Sequence, residues 1–176
     1  MAWTLSHHPL KEPGLLDEFL LSAGKALCIA SAFESKCKYV IRVVQISECY
    51  RETSDASAAW DLAQILKDQL LGKTIKKMRN YPTIDQEDIK TLEAAKDARN
   101  YIAHECADLG ELSRVSSRLI QERISSLRGH LGALIKGDNL ISRWVYEIEE
   151  KEPAPQQIQE IYPVWVHHWV FPSDRT

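Results

Sequence analysis

No stretch of 18 or more apolar residues occurs in this 176-residue chain, so no membrane-spanning helix is expected. The N-terminus has no basic region followed by an apolar core, so no signal peptide is expected either. Net charge is small: 22 basic against 25 acidic side chains leave -3, which argues against coating nucleic acid by bulk charge. Glycine and proline number only seven each and no low-complexity segment occurs, so neither a collagenous nor a wholly disordered chain fits. Cysteine is limited to Cys28, Cys37, Cys49 and Cys106, widely spaced and without a C-x-x-C pair. They read as buried, reduced thiols of a cytoplasmic protein. His7-His8 and His167-His168 are adjacent pairs whose side chains diverge on a helix or strand. No metal site and no cofactor is expected.

What is present is helical periodicity between widely separated prolines. Pro9 and Pro13 open the chain, Pro82 stands alone, and Pro153, Pro155, Pro163 and Pro172 close it. Residues 14–81 and 83–152 are free of this helix breaker. The first helical stretch runs from about Leu15 to Tyr50, with Leu16, Leu20, Ala23, Leu27, Ala30, Cys37, Ile41 and Val44 as its stripe. One long helix and two with a break near Ser31–Ser35 both fit. A second helix starts at a cap on Asp55 or Ser57 and ends near Arg79, before Asn80-Tyr81-Pro82. Asp85 caps the third, which carries Glu87 and Asp88 in its first turn and runs to about Ala107. A fourth carries Val115 to Leu134 and ends at Gly137-Asp138, and a fifth reads from Leu140 through Ile148.

Short connections make such helices antiparallel neighbours. The expected fold is all-α, an up-and-down helical bundle of four to five helices over residues 14–148. Residues 149–176 read as a linker and a docked, partly extended aromatic arm, because Val164 to Phe171 carries more apolar surface than solvent tolerates.

The third helix carries the anomaly. Its stripe of Leu92, Ala95, Ile102 and Cys106 lacks a member between Ala95 and Ile102, and Arg99 is assigned that place. A buried guanidinium must be paired, or the stripe opens there onto a cleft or a subunit interface. Asn100 and His104 lie four apart on one face, with Glu93 and Asp97 on the same side. Arg99 and His104 are separated by roughly 140° around the axis, with Asn100 between them. An imidazole titrates near neutral pH and suits proton transfer, and a planar guanidinium matches phosphate oxygens. Arg99 paired within a purely structural bundle is the competing reading.

The string Arg99-Asn100-Tyr101-Ile102-Ala103-His104 resembles the signature of the HEPN superfamily (higher eukaryotes and prokaryotes nucleotide-binding domains), an Arg followed four to six residues later by His. The resemblance implies a helical bundle over about residues 14–148. It also implies a metal-independent ribonuclease, a toxin or antiphage effector whose Arg and His meet across a homodimer cleft. Carried onto this chain, His104 would move the proton of the ribose 2′-hydroxyl or the leaving oxygen. Arg99 would stabilise charge on the phosphate, Asn100 would orient the phosphate or His104, and Glu93 and Asp97 would support them. An inactive RNA- or protein-binding module is the alternative within the same family. RNA is the implied partner, with an antitoxin or regulatory protein beside it and no membrane. Some toxin members carry Tyr two residues after the motif His; here that position is Cys106, so nucleotide attachment there is not expected. Lys73, Lys76 and Lys77 at the end of the second helix, and Arg114 and Arg118 after the motif helix, are candidate RNA-backbone contacts. Favourable placement of a solvated lysine cluster at a helix C-terminus is the bland account of the first group.

Overall fold

A computed structural model of the chain describes residues 13–66, 70–81, 84–109 and 115–172. Among these the regular structure is entirely helical: α1 Pro13–Thr53, α2 Ala56–Ile65, α3 Leu71–Met78, α4 Gln86–His104, α5 Ser117–Glu150 and α6 Gln156–Val170. No helix among the described residues is long and apolar enough to cross a membrane.

Local chemistry sets most of the boundaries. Pro13 stands at the first position of α1, where a missing N–H costs nothing. The helix continues without a break through Ser31–Ser35 and stops at Ser54, whose φ is 54°. Asp55 caps α2 by accepting from Ser57 N at 2.8 Å, and Asp85 caps α4 by accepting from Glu87 N at 3.0 Å. Ser116 Oγ accepts from Leu119 N at 3.3 Å at the start of α5, and Lys151 ends that helix with a φ of 58°. The single helix expected over 55–79 is two, α2 and α3.

The seam of α1 is Leu16, Phe19, Ala23, Ala26, Ala30, Phe33, Cys37 and Val40, all buried. Leu20 and Leu27, assigned to the stripe from sequence, are each 43% exposed. Both sets repeat at three and four residues, and neighbours in the chain differ by only about 100° around the axis, so spacing alone does not choose between them. In α4 the buried positions are Ile89, Leu92, Ala95, Ala98 and Ile102. The stripe is therefore complete. Ala98, and not Arg99, fills the place between Ala95 and Ile102.

Helix α5 runs unbroken through Gly137-Asp138, where a helix end was expected. A Cβ on Gly137 would lie 2.2 Å from the Ala95 Cβ and 3.3 Å from the Phe33 ring. The glycine therefore admits close contact among α5, α4 and α1. Asp138 beside it is fully buried; Lys36 Nζ donates to both carboxylate oxygens at 2.9 Å and to Ser142 Oγ at 2.8 Å, and the Tyr162 hydroxyl also donates to Asp138.

Residues 156–170 form a helix rather than an extended arm, although Pro163 lies inside it. Proline cannot donate to the carbonyl four residues back, and that carbonyl, Gln159 O, accepts instead from Asn139 Nδ2 at 2.8 Å. Two carbonyls at the other end are taken by α1: Ser22 Oγ donates to Val170 O at 2.9 Å and Lys25 Nζ to Trp169 O at 2.8 Å. Proline in the sequence signalled a break that tertiary hydrogen bonding removes.

Pairing fixes relative directions. Lys36 meets Asp138, and Phe19 lies near Ile124 while Val40 lies near Trp144, so α1 and α5 run the same way. Arg143 faces Asp88 and His130 stacks on Tyr101, so α4 runs opposite to α5. Helix α6 also opposes α5, through Asn139 with Gln159 and Arg128 with Phe171.

Candidate functional site

The C-terminal end of α4 gathers the motif. Three core contacts of α4, Ala95, Ala98 and Ile102, face inward. That turns Asn100 and His104 to solvent and leaves Arg99 half-buried at the border with α1. Arg99 Nη1 donates to Asn100 Oδ1 at 3.1 Å and lies 3.3 Å from His104 Nε2. A guanidinium offers only donors, so this second contact is a hydrogen bond when Nε2 is the unprotonated ring nitrogen.

The other terminal nitrogen of Arg99, Nη2, donates to Glu34 Oε2 on α1, in an ion pair whose side chains are 23% and 18% exposed. Glu34 Oε1 is held in turn by Lys38 Nζ at 2.7 Å. Partial burial raises the Glu34 carboxyl, but the hydrogen bond and charge of Lys38 together with Arg99 outweigh it and hold the group below its ordinary value. The guanidinium is paired, as its partial burial requires, and its partner is Glu34 rather than Glu93 or Asp97.

Glu93 and Asp97 are engaged elsewhere. Glu93 accepts from Arg79, and Asp97 Oδ1 lies 3.1 Å from Lys96 Nζ. Neither is brought to Arg99 or His104 by a direct contact. Lys73 and Lys76 are exposed on α3, and Lys77 donates to Gln45 at 3.3 Å. Gln45 lies eleven residues beyond Glu34, about 16 Å along α1, so the lysines stand well apart from His104. Arg118 is exposed at the start of α5 and pairs with Glu122 at 2.9 Å. Arg114 lies outside the described residues.

Behind the exposed groups, Tyr101 stacks on His130 of α5 with ring centroids 3.9 Å apart and planes 22° from parallel. Its hydroxyl is buried and finds no partner among the described residues. Arg123 of α5 donates to Asp108 O at 2.9 Å and so ties down the turn after α4. Cys106 is buried there, as is Cys37 in α1, and burial pushes both thiols up. Cys28 is exposed and Cys49 half-buried, so not all four thiols are interior as expected. Among the described residues no group of three His, Cys, Asp or Glu side chains is placed to hold a metal ion.

Sequence reasoning missed Glu34, Lys38 and His130. The Glu34–Lys38 spacing is an ordinary helix pair, and nothing in it tells that the pair faces α4. No family model, no curated protein and no solved structure matches the chain.

Proposed function

We propose that this chain is a metal-independent endoribonuclease of the HEPN type, a toxin or antiphage effector acting in the cytoplasm. One observation carries the reading: Arg99 Nη1 lies within reach of both Asn100 and His104 on the solvent side of α4. An imidazole, the side chain suited to general acid–base work, stands there beside a guanidinium whose planar fork matches phosphate oxygens. His104 takes the proton of the ribose 2′-hydroxyl as it attacks the adjacent phosphate, or gives one to the leaving oxygen. Arg99 stabilises the negative charge that builds on the phosphate, and Asn100 orients Arg99 against it. The products are a cyclic 2′,3′-phosphate and a 5′-hydroxyl.

A single imidazole serves one proton transfer at a time. A homodimer with two His104 side chains across a two-fold axis supplies both base and acid. The alternation of helix directions belongs to an up-and-down bundle in this reading, with an antitoxin or regulatory protein as a further partner. Lys73, Lys76 and Lys77 then serve only as distant backbone contacts, and Arg114 and Arg118 as further backbone contacts.

A second reading, an inactive HEPN-like RNA- or protein-binding module, draws on the Glu34–Arg99 pair, because Glu34 occupies one guanidinium nitrogen that a phosphate would otherwise take. Cleavage decides between them. Purified protein is expected to cut single-stranded or loop RNA in chelator and to leave DNA intact, since DNA lacks the 2′-hydroxyl. His104→Ala should abolish cutting, and Arg99→Ala should slow it by about 10²-fold or more. Cutting that survives in His104→Ala, or that vanishes in chelator, removes the mechanism. Binding without cutting by the native chain leaves the module.

A further inference from the structure

A guanidinium is a rigid plane, so holding one of its nitrogens on a fixed acceptor sets the direction of the others. In this protein Nη2 of Arg99 is held by Glu34 Oε2, and Nη1 is the nitrogen that reaches His104 and Asn100. Glu34 is itself held. Lys38 grips its other oxygen at 2.7 Å from one turn further along α1. The backbone that carries both is immobilised by Phe33 and Cys37, which are fully buried, and α4 is anchored at the same level by Ala95 and Ala98. A relay therefore runs from Lys38 through Glu34 to Arg99 and on to His104, and its first two members lie on a different helix from the motif.

We infer that Glu34 is a positioning residue: it fixes the plane of the Arg99 guanidinium so that Nη1 stays directed at His104. The geometric part stands alone; its consequence for catalysis rests on the ribonuclease reading. Two cations share one carboxylate, so Lys38, Arg99 and Glu34 together keep a net positive charge for a phosphate. An unanchored arginine on a helix surface samples many rotamers, and only some place Nη1 beside the imidazole. Glu34 thus limits where the charge sits rather than cancelling it.

The same contacts define a competing role. Glu34 would then compete with phosphate for Arg99 and hold the site shut. The two roles predict different kinetics. A positioning carboxylate acts on kcat, since misplacement by about 1 Å costs on the order of 10²-fold. A competing carboxylate acts on KM, which would fall once it is removed.

The test uses the full chain with Glu34→Ala and Glu34→Gln, each checked by thermal melting. The amide of Glu34→Gln keeps an acceptor for Nη2 and loses the charge. Steady-state cleavage of a fluorescent RNA oligonucleotide in chelator should show Glu34→Ala with kcat lowered by about 10²-fold. Its KM should stay within a few-fold, and Glu34→Gln should recover most of the loss. A lower KM in either variant, or an unchanged kcat in Glu34→Ala, overturns the inference. Should Glu34→Ala fail to fold, Glu34→Gln alone decides, by near-native kcat and KM against a lowered KM. A second readout needs no activity. NMR of the Arg99 guanidinium and His104 ring nitrogens should give distinct, restrained Nη signals in the native chain and in Glu34→Gln, and averaged ones in Glu34→Ala. Native protein that cuts no RNA but shows this pattern keeps the positioning role while the ribonuclease reading fails. Identical Nη signals in all three proteins overturn it whatever the activity.

Discussion

Gly137 of α5 lies against Ala95 of α4 so closely that a Cβ on the glycine would stand 2.2 Å from the alanine Cβ. The contact lies in the same α4 segment that turns Asn100 and His104 outward, so packing here sets the orientation of the motif.

A methyl at position 137 must therefore push α4 and α5 apart. Alanine gains about 1 kcal/mol of helix propensity over glycine, but overpacking costs about 1–3 kcal/mol or more. Gly137→Ala should lower Tm by several degrees, at roughly 2–4 °C per kcal/mol for a chain of this size. Gly129, also in α5, would meet nothing within 4 Å, so Gly129→Ala should hold or raise Tm. Differential scanning calorimetry of the pair checks this, and equal behaviour of the two would contradict the close approach.

Asp138 is a fully buried carboxylate held by Lys36 from α1 and by Tyr162 from α6. Breaking a buried pair costs about 3–5 kcal/mol, and Lys36, 29% exposed, can turn toward water, so Asp138→Ala should fall near the low end. Tyr162→Phe removes one bond to a charged group, about 2 kcal/mol. The losses should not add in the double variant, because both residues belong to one network. Urea unfolding of the three variants measures the coupling.

Tyr81 donates to Glu48 at 2.9 Å. Burial, followed by that hydrogen bond and the carboxylate charge, pushes its phenol up to about 12 from 10.0. Tyr162 moves in the same direction, by burial and by Asp138. A raised folded value favours the protonated phenol in the fold. The stability it contributes is complete below pH 10 and is lost as pH rises through about 12. Absorbance titration should show late ionisation in the native chain, and Glu48→Gln should bring Tyr81 back toward 10.

Helix content and several caps were legible in the sequence because they rest on local chemistry. Asp85 with Glu87 and Asp88 marks the start of α4 as read, and Asp55 marks that of α2. Features that depend on a second helix were not legible. Pro163 reads as a breaker until Asn139 supplies the donor that Gln159 lacks. Gly137 reads as a stop until Ala95 and Phe33 are seen against it. At the site, Arg99, Asn100 and His104 come together as their spacing suggests, but Arg99 is not a member of the packing stripe. Ala98 completes the stripe, and the carboxylate that pairs with the guanidinium comes from α1.

The proposed dimer must form on the edge that carries the motif. Leu20, Leu27 and Glu34 repeat every seven residues and so share one side of α1. Leu20 and Leu27 are each 43% exposed on the side of α1 that carries Glu34, about 21 and 10 Å along the axis from it. Ser22 and Lys25, which hold α6, lie on the far side of the same helix. Trp165 and Trp169, both exposed, belong to the helix that docks on that other side of α1. Burying a leucine contributes about 1.5–3 kcal/mol, so Leu27→Glu should weaken dimerisation at least tenfold and reduce RNA cutting with it. Trp165→Glu, of comparable exposure, should leave both unchanged. Sedimentation equilibrium at micromolar concentration, run beside the cleavage assay, reads the two together. A dimer broken by Trp165→Glu and indifferent to Leu27→Glu would place the two-fold axis on α6 and not on the side of α1 that carries Glu34, and would overturn the composite site.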